Sequence, residues 1–332
     1  MNKKYPIILF SIIFIAAAFY FLLTPRNNTI SSVEKIFKVR DTYDISRIDI
    51  IKNGENIKIE KWKDNKWRIN DIYFGREEII NKLIGLISKF EINSRVAGSY
   101  LNRVMDEFNE NAIEINLYKN KRILKQFIIS KITIEDNEIT AISKNREEIY
   151  ALNVTGFPYL LYSVFNTNAD FLRDKTLLHI LPEQIVSIKL KHNQSPQHSF
   201  HLSKTGKTGY KINSINNLKI EEYDPGKVEL YLGYFQHIKF EKEITGNENN
   251  LYDSLEQTVP LYKAGIIYSG SNPVNFLVYN RPISQRKNIL GKEITVDPDF
   301  CYVTLNGQLS VYLVKYTEIE HVIKNIDYFI KE

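Results

Sequence analysis

The sequence contains very little cysteine, and this scarcity excludes two ways of holding a fold together. Cys301 is the single cysteine in 332 residues, so no intramolecular disulfide can form. The chain equally lacks a cysteine-rich metal signature. Cys301 lies in the apolar run 300–303, which predicts a buried, unreactive thiol, with a lone nucleophile as the alternative.

Blocks of basic residues are also missing. The chain has 44 basic and 39 acidic residues and a formal net charge of +5, and the two signs alternate in segments such as 58–61. Such alternation is typical of the solvated face of a strand and does not neutralise a phosphate backbone. We therefore expect no nucleic-acid partner. The apolar fraction of 43% predicts a globular protein with ample core.

Recognisable catalytic motifs are absent as well. The sequence has no Gly-x-Ser-x-Gly, no His-Glu-x-x-His and no glycine-rich dinucleotide turn. The segment Ser203–Gly209 lacks the spaced glycine pair of a phosphate loop, so we predict a hairpin turn there. We predict no catalytic residue, no metal and no cofactor. An enzyme whose site is assembled from distant residues stays an alternative.

Six histidines are the remaining candidate metal ligands. His192, His198 and His201 lie within ten residues, but a strand over 198–202 would place His198 and His201 on opposite faces. Loop and edge histidines are therefore the simpler interpretation. The other three, which lie in apolar segments and are expected to be packed or half-exposed, are His179, His237 and His321.

The N-terminus carries the one long apolar run. Residues 7–23 are interrupted only by Ser11, which is near the short end of what spans a bilayer. We predict that residues 1–26 form a membrane anchor followed by a linker over 27–36. A cleaved signal peptide is the alternative, because Ala16, Ala17 and Ala18 offer a small-residue cleavage site.

Charge around the anchor bears on its orientation. Lys3 and Lys4 favour a cytoplasmic N-terminus, whereas Arg26 and Arg40 on the other side weaken that argument. A short tail before a long soluble region is typical of exported proteins. We therefore expect a single-pass protein of the inner membrane with its soluble region in the periplasm.

The soluble region predicts two similar α+β units. In the first, apolar alternation around 48–69 predicts antiparallel strands with turns at Asn53-Gly54 and Asp64-Asn65. A helical stripe follows, and more strands are predicted at 112–118, 124–129, 139–143 and 148–152. The stripe consists of Ile80, Leu83, Ile84 and Ile87.

The same order recurs in the second half. Residues 210–213 are similar in sequence to residues 67–70. Asp224-Pro225 predicts a capped helix start, and the helix that follows has a second apolar stripe, which repeats the first at a constant offset in residue number. This stripe consists of Val228, Tyr231, Leu232 and Phe235. Further strands are predicted at 186–190, 199–202, 265–268, 275–279, 301–305 and 310–314. We predict a tandem duplication, 37–180 and 181–332, each unit mostly antiparallel sheet with one or two helices packed on it.

Two clusters lie near the predicted junction. The charged group Asp170, Arg173, Asp174 and Lys175 is interpreted as a solvated helix end, with a partner-docking or ion-pair hinge as the alternative. The aromatic group Phe157, Tyr159, Tyr162 and Phe165, in a predicted helical segment over 158–165, is interpreted as core packing, with a ligand or membrane-surface patch as the alternative.

Several segments together resemble a known family. They are 37–41 leading into 45–48, 67–70, 170–175 before 185–188, and Ser199-Phe200. The chain is similar, from about residue 34 onward, to membrane-anchored bacterial proteins of an uncharacterised domain family common in Bacteroidetes. Related domains accompany auxiliary subunits of gliding-motility-type ABC transporters. Where relatives tend to have glycines, this chain has 109–111 and 119–121 without glycine.

The resemblance implies an accessory envelope protein and no reaction. We therefore expect a non-enzymatic, membrane-tethered scaffold that presents surfaces to protein partners. An extracytoplasmic binding module for a glycan, peptide or lipid is the alternative. An aromatic pocket with a few convergent polar groups would distinguish that module.

Overall fold

A computed structural model describes residues 35–130, 139–143, 148–154, 164–206, 209–214, 220, 222–245, 250–287, 291–305 and 309–331. The predicted anchor at 7–23 and most of the predicted linker lie outside this part of the chain. Within it, no helix is long and apolar enough to cross a membrane. Ile36, the last residue of the predicted linker, packs against the first core.

Two compact units divide between Asp174 and Lys175, a few residues before the boundary that the sequence repeat suggests. Both are α+β with mainly antiparallel sheet, as predicted. The elements of the first unit are β1 (Arg47–Lys52), β2 (Glu55–Lys61), β3 (Trp67–Ile69), β4 (Tyr73–Phe74), α1 (Glu77–Ser88), β5 (Phe90–Arg95), α2 (Tyr100–Asn111), β6 (Ile113–Lys119), β7 (Arg122–Ser130), β8 (Ile139–Ser143), β9 (Ile149–Val154) and α3 (Ala169–Leu172).

The first sheet has the strand order β4-β3-β2-β1-β6-β7-β8-β9-β5. Its core lies between one sheet face and α1, whose predicted stripe is buried in full. Burying each of these aliphatic side chains stabilises the unit by roughly 1.5–3 kcal/mol. On the opposite face, α2 forms a smaller cluster through Val104, which contacts Val96 and Ile149.

Turns in the first unit follow their local sequence. Asn53 and Gly54 both have positive φ, 51° and 83°, which gives the tight β1–β2 hairpin that Asn-Gly predicts. Asn120 adopts φ 54° in the β6–β7 turn, so an asparagine takes the left-handed conformation there. The segment 119–121 therefore forms a tight turn without a glycine.

The second unit has the same kinds of element. They are β10 (Thr176–Leu178), β11 (Ile185–His192), β12 (Phe200–Thr205), β13 (Gly209–Ser214), α4 (Pro225–Gly233), β14 (Ile238–Lys239), β15 (Lys242–Ile244), α5 (Leu251–Glu256), β16 (Tyr262–Tyr268), β17 (Val274–Lys287), β18 (Glu293–Leu305), β19 (Val311–Lys315) and α6 (Tyr316–Ile319). A 3-10 turn over Ile326–Phe329 follows.

The second main sheet has the order β13-β12-β11-β16-β17-β18-β19-β15. Matched in chain order, its strands are arranged as β3-β2-β1-β6-β7-β8-β9-β5 are in the first sheet. The α4 helix begins as predicted, with the Asp224 carboxylate accepting hydrogen bonds from the backbone N–H groups of Gly226 and Lys227. Its stripe is buried against the sheet.

Each unit ends on a backbone contact that we call the closing bridge. In the first, Gly75 pairs with Arg173, and the N–H of Arg76 donates to the carbonyl of Leu172 at 2.8 Å. In the second, Tyr223 pairs with Ile330, and the N–H of Asp224 donates to the carbonyl of Phe329 at 2.9 Å. In both units, the last residues are therefore fixed to the residues immediately before the long helix.

Candidate functional site

The histidines of 192–201 have different partners, although the rings of His192 and His198 lie side by side with centroids 6.3 Å apart. His192 is buried at the end of β11, with Nε2 3.0 Å from the carbonyl of Lys324, and burial lowers its pKa. His198 is 3.4 Å from the Asp327 carboxylate and belongs to a 3-10 turn, whereas a strand over 198–202 would have included it; the strand begins at Phe200. Pro196 at the start of that turn explains the difference. No group of three or more histidine, cysteine or acidic side chains suited to a metal occurs within the described residues.

Three other histidines were expected to be packed or half-exposed. His321 fits that expectation and stacks on Tyr234, with ring centroids 4.7 Å apart. His179 and His237 are exposed instead, with ring centroids 5.2 Å apart. Their neighbours in sequence point into the core, and strand-like alternation turns the two rings outward.

The Cys301 thiol is buried, as predicted. Its side chain is fully enclosed in the second core, and Sγ lies 3.5 Å from the carbonyl of Val314. Burial raises the pKa of Cys301 to about 12. Since the thiolate is the reactive form, this environment suppresses nucleophilic chemistry at neutral pH.

The lysine- and glycine-containing segment 203–209 forms the predicted hairpin. Thr205 pairs with Gly209 at the end of the β12–β13 ladder, and Gly206, directly after β12, has φ 64°. The segment joins two paired strands and does not lead into a helix, the context that a phosphate loop needs.

One residue of the charged cluster at the junction is more buried than predicted, and one residue of the aromatic cluster is buried as predicted. Arg173 was expected to be solvated, but only 5% of it is exposed. It donates to the Asp170 carboxylate at 2.7 Å and stacks over Tyr73. Phe165 packs in the first core against Phe90, whereas Phe157, Tyr159 and Tyr162 lie outside the described residues.

An exposed aromatic and cationic surface lies where β2, β3 and β4 adjoin the sheet edge. We call it the Trp62 patch. The exposed fractions are 47% for Trp62, 69% for Ile72 and 50% for Phe74. The Arg68 guanidinium lies between the two aromatic rings, 4.4 Å from the centroid of Trp62 and 5.6 Å from that of Phe74, and Lys66 completes the patch.

Strand pairing positions the Trp62 patch. Arg68 and Phe74 are direct partners in the β3–β4 ladder, and the N–H of Trp62 donates to the carbonyl of Lys66. This surface was not predicted from the sequence, because Trp62 and Phe74 lie outside the alternating runs. The one signal in the sequence was that Arg68 lies between Trp67 and Ile69. Because the latter two face inward, alternation places Arg68 on the outside of the strand.

A basic cleft of about 390 Å³ lies near the start of the described chain. Its lining combines cations with two acids, and consists of Lys35, Lys38, Val39, Arg40, Asp41, Asp44, Leu124 and Lys125. Asp44 is neutralised by Lys119 at 2.7 Å. Lys125 donates to the backbone carbonyl of Lys35, and burial lowers its pKa. Such a cleft is suited to an anionic group.

No protein-family model, no curated protein and no solved structure matches the chain. The family resemblance stated from the sequence therefore stays a prediction.

Proposed function

We propose that the chain is a non-enzymatic, membrane-tethered accessory protein that presents surfaces to protein partners of an envelope assembly, such as an ABC-transporter-like complex. Residues 7–23 would hold it in the inner membrane with the soluble units on the periplasmic side. The observation that carries the proposal is the Trp62 patch.

The chemistry of the Trp62 patch supports a protein partner. Tryptophan and arginine are the residues most enriched at the energetic centres of protein interfaces. Here Arg68 is already oriented by two aromatic rings, so little side-chain freedom would be lost on binding. Ile72, two residues before Phe74, is a further exposed apolar side chain. The combination fits an interface centre better than it fits ordinary solvated surface.

The proposal includes an origin by duplication. The matching strand orders of the two main sheets support it, and so do the closing bridges that precede α1 and α4. A duplicated unit gives one tethered chain two related scaffolds whose surfaces can diverge to serve different partners.

Crosslinking from the patch tests the proposal. Full-length protein carrying a photoactivatable residue in place of Trp62 would be irradiated in intact membranes and purified in mild detergent. We expect a discrete heterologous adduct that Arg68→Ala or Phe74→Ala greatly reduces. Tyr100→Ala is the matched control, because Tyr100 is an equally exposed aromatic residue of the same unit. Recovery of an uncrosslinked monomer, or equal loss in the control, would contradict the proposal.

The second candidate is an extracytoplasmic binding module, and the basic cleft favours a lipid among its possible ligands. The cleft begins at Lys35, so it would follow the predicted anchor by a short linker. Anionic headgroups attract such basic sites near a membrane. A photoactivatable anionic phospholipid should then label residues 35–44 of the full-length protein in membranes. Labelling that Lys38→Gln and Arg40→Gln leave unchanged would argue against this candidate.

A further inference from the structure

The two main sheets can be aligned residue by residue through their registers. Ile48 pairs with Ile59 in the first sheet, and Ile188 pairs with Leu202 in the second; all four belong to the two cores. The same alignment continues into the neighbouring strands on both sides. The residues directly before and after these core residues in each strand have their side chains on the opposite side of the sheet, which we call the outer face.

On the outer face of the first unit, cations are paired with carboxylates. Arg47 contacts Asp49 at 3.1 Å, and Lys58 contacts Glu60 at 3.3 Å. The carboxylate of Glu114 accepts hydrogen bonds from neighbouring amides. This face is therefore close to electrically neutral.

None of the acids Asp49, Glu60 and Glu114 has an acidic counterpart at the matching position of the second unit. By register, Lys189 stands where the first unit has Asp49, Ser203 where it has Glu60, and Lys263 where it has Glu114. Lys191 and Lys211 stand at the positions of Ile51 and Arg68. We call the group Lys189, Lys191, Lys211 and Lys263 the lysine face.

The lysine face is exposed and internally repulsive. All four side chains are exposed, and none forms a salt bridge within the part of the chain that the structure describes. Lys191 and Lys263 are direct cross-strand neighbours. Like charges in that arrangement destabilise a sheet. This arrangement of cations lowers the stability of the folded unit. Its presence therefore points to an anionic ligand that neutralises the lysines.

Neutral polar groups lie among the lysines. His201 lies across from Lys189, with Asn213 beyond it, and Ser187 and Ser203 form the next row. Burial lowers the pKa of His201, and the charges of Lys189 and Lys211 lower it further. The neutral imidazole, the amide and the hydroxyls offer hydrogen bonds between the cations.

We propose that the lysine face binds a soluble ligand carrying two or more phosphoryl groups. Lys191 and Lys263 would share one group, and Lys189 and Lys211 would approach another across His201. These lysines lie on β13, β11 and β16, which together with β12 between them span about 14 Å, the size of a small polyphosphorylated molecule. Hydroxyl and amide side chains between the cations favour such a ligand over a bilayer surface, which charge alone would attract. The site is independent of the Trp62 patch.

Isothermal titration with tripolyphosphate tests the proposal on the full-length protein in an uncharged detergent. Lys191→Gln combined with Lys263→Gln should weaken binding by about tenfold or more. The control combines Lys82→Gln with Lys331→Gln, which removes the same charge at exposed positions elsewhere and should change the affinity less than twofold. Bound phosphate near Lys189 and Lys211 should also raise the pKa of His201, followed by its imidazole NMR signals.

Three outcomes would overturn the proposal. One is no binding of tripolyphosphate at low salt. Another is equal weakening in the lysine-face and control variants, which would reveal attraction to net charge alone. The third is binding to nanodiscs of anionic phospholipid that depends on the lysine face without binding of tripolyphosphate, which would assign the face to a membrane surface.

Discussion

Among single side chains, Tyr231 connects two parts of the second core. Its ring is completely buried, and its hydroxyl donates to the carbonyl of Val322 at 2.9 Å. Tyr231→Phe leaves that carbonyl without its partner, so we expect the free energy of unfolding to fall by about 1–2 kcal/mol. Urea denaturation measures the change. Tyr43→Phe removes a hydroxyl from a side chain that is 92% exposed and should leave stability unaltered.

Asp297 makes stability depend on pH. Burial alone would raise the pKa of its carboxyl, but hydrogen bonds from the N–H groups of Asp299 and Phe300 and the charge of Arg281, 2.8 Å away, lower it overall. A lowered pKa in the folded state gives stabilisation that is present above about pH 4 and is lost as the pH falls through the folded-state value.

We therefore expect Asp297→Asn to lower stability by about 1–3 kcal/mol at pH 7. The difference from the unsubstituted protein should shrink toward pH 3, followed by urea denaturation at each pH. A difference that stays constant with pH would show that the charge of Asp297 is not involved.

At the scale of single residues, the environment of a side chain could be predicted from the sequence where its immediate neighbours in the chain decide it. The burial of Cys301 and the helix cap at Asp224 follow from immediate neighbours. Arg173 could not be predicted, because its surroundings come from a segment far away in the chain. The Trp62 patch could not be predicted either, because it depends on how β3 pairs with β4. Arg173 is buried by contacts with the strand at Tyr73, which no local pattern near 173 reveals.

At the scale of the elements, the close packing around Gly75, which lies just before α1 in the closing bridge of the first unit, can be tested by substitution. A Cβ added at Gly75 would lie 2.4 Å from Cδ1 of Ile80 and 3.1 Å from Cβ of Trp67, both in buried side chains. Gly75→Ala should therefore destabilise the protein by about 1–3 kcal/mol.

Gly85→Ala is the matched substitution in α1. A Cβ there meets nothing within 4 Å, and alanine is the better helix former, so we expect a gain of up to about 1 kcal/mol. In thermal unfolding, we expect the melting temperature to be highest for Gly85→Ala, intermediate for the unsubstituted protein and lowest for Gly75→Ala. The reverse order would contradict the packing described for α1.

Elements with regular apolar spacing were predictable, and others were not. The buried stripes of α1 and α4 are visible in sequence because they repeat every three or four residues. In α2, Leu101, Val104, Met105 and Phe108 have the same spacing, so this helix was predictable too, although it was not predicted; Val104 is its one fully buried residue. The outer half of the β17–β18 hairpin is mostly exposed, and its strands continue through cross-strand pairing without a buried face.

At the scale of the whole molecule, each unit carries its own core and its own closing bridge. We therefore expect residues 35–174 and 175–332 to fold when produced separately. Each fragment should unfold in a single cooperative transition and show dispersed NMR amide signals. A fragment that stays unfolded under conditions where the full-length protein is folded would show that it depends on the other for stability.

The α+β class follows from alternation and helical stripes, but the strand order does not. In both main sheets, the first strand (β1 or β11) pairs with the strand that follows the second helix (β6 or β16), and the main-sheet strand between the two helices (β5 or β15) pairs with the last strand. Those pairings join residues far apart in sequence, and several strands have similar apolar patterns, so composition alone cannot select among them.

The closing bridges also impose an order on biosynthesis. A chain emerges from a ribosome or a translocation channel N-terminus first, so Gly75 and Arg76 are available long before Leu172 and Arg173 arrive to pair with them. Until then the first unit has an open backbone edge beside α1, and such edges can pair with other chains. The time the nascent protein spends in this unfinished state, and its need for chaperones, would be determined by how quickly these last residues emerge.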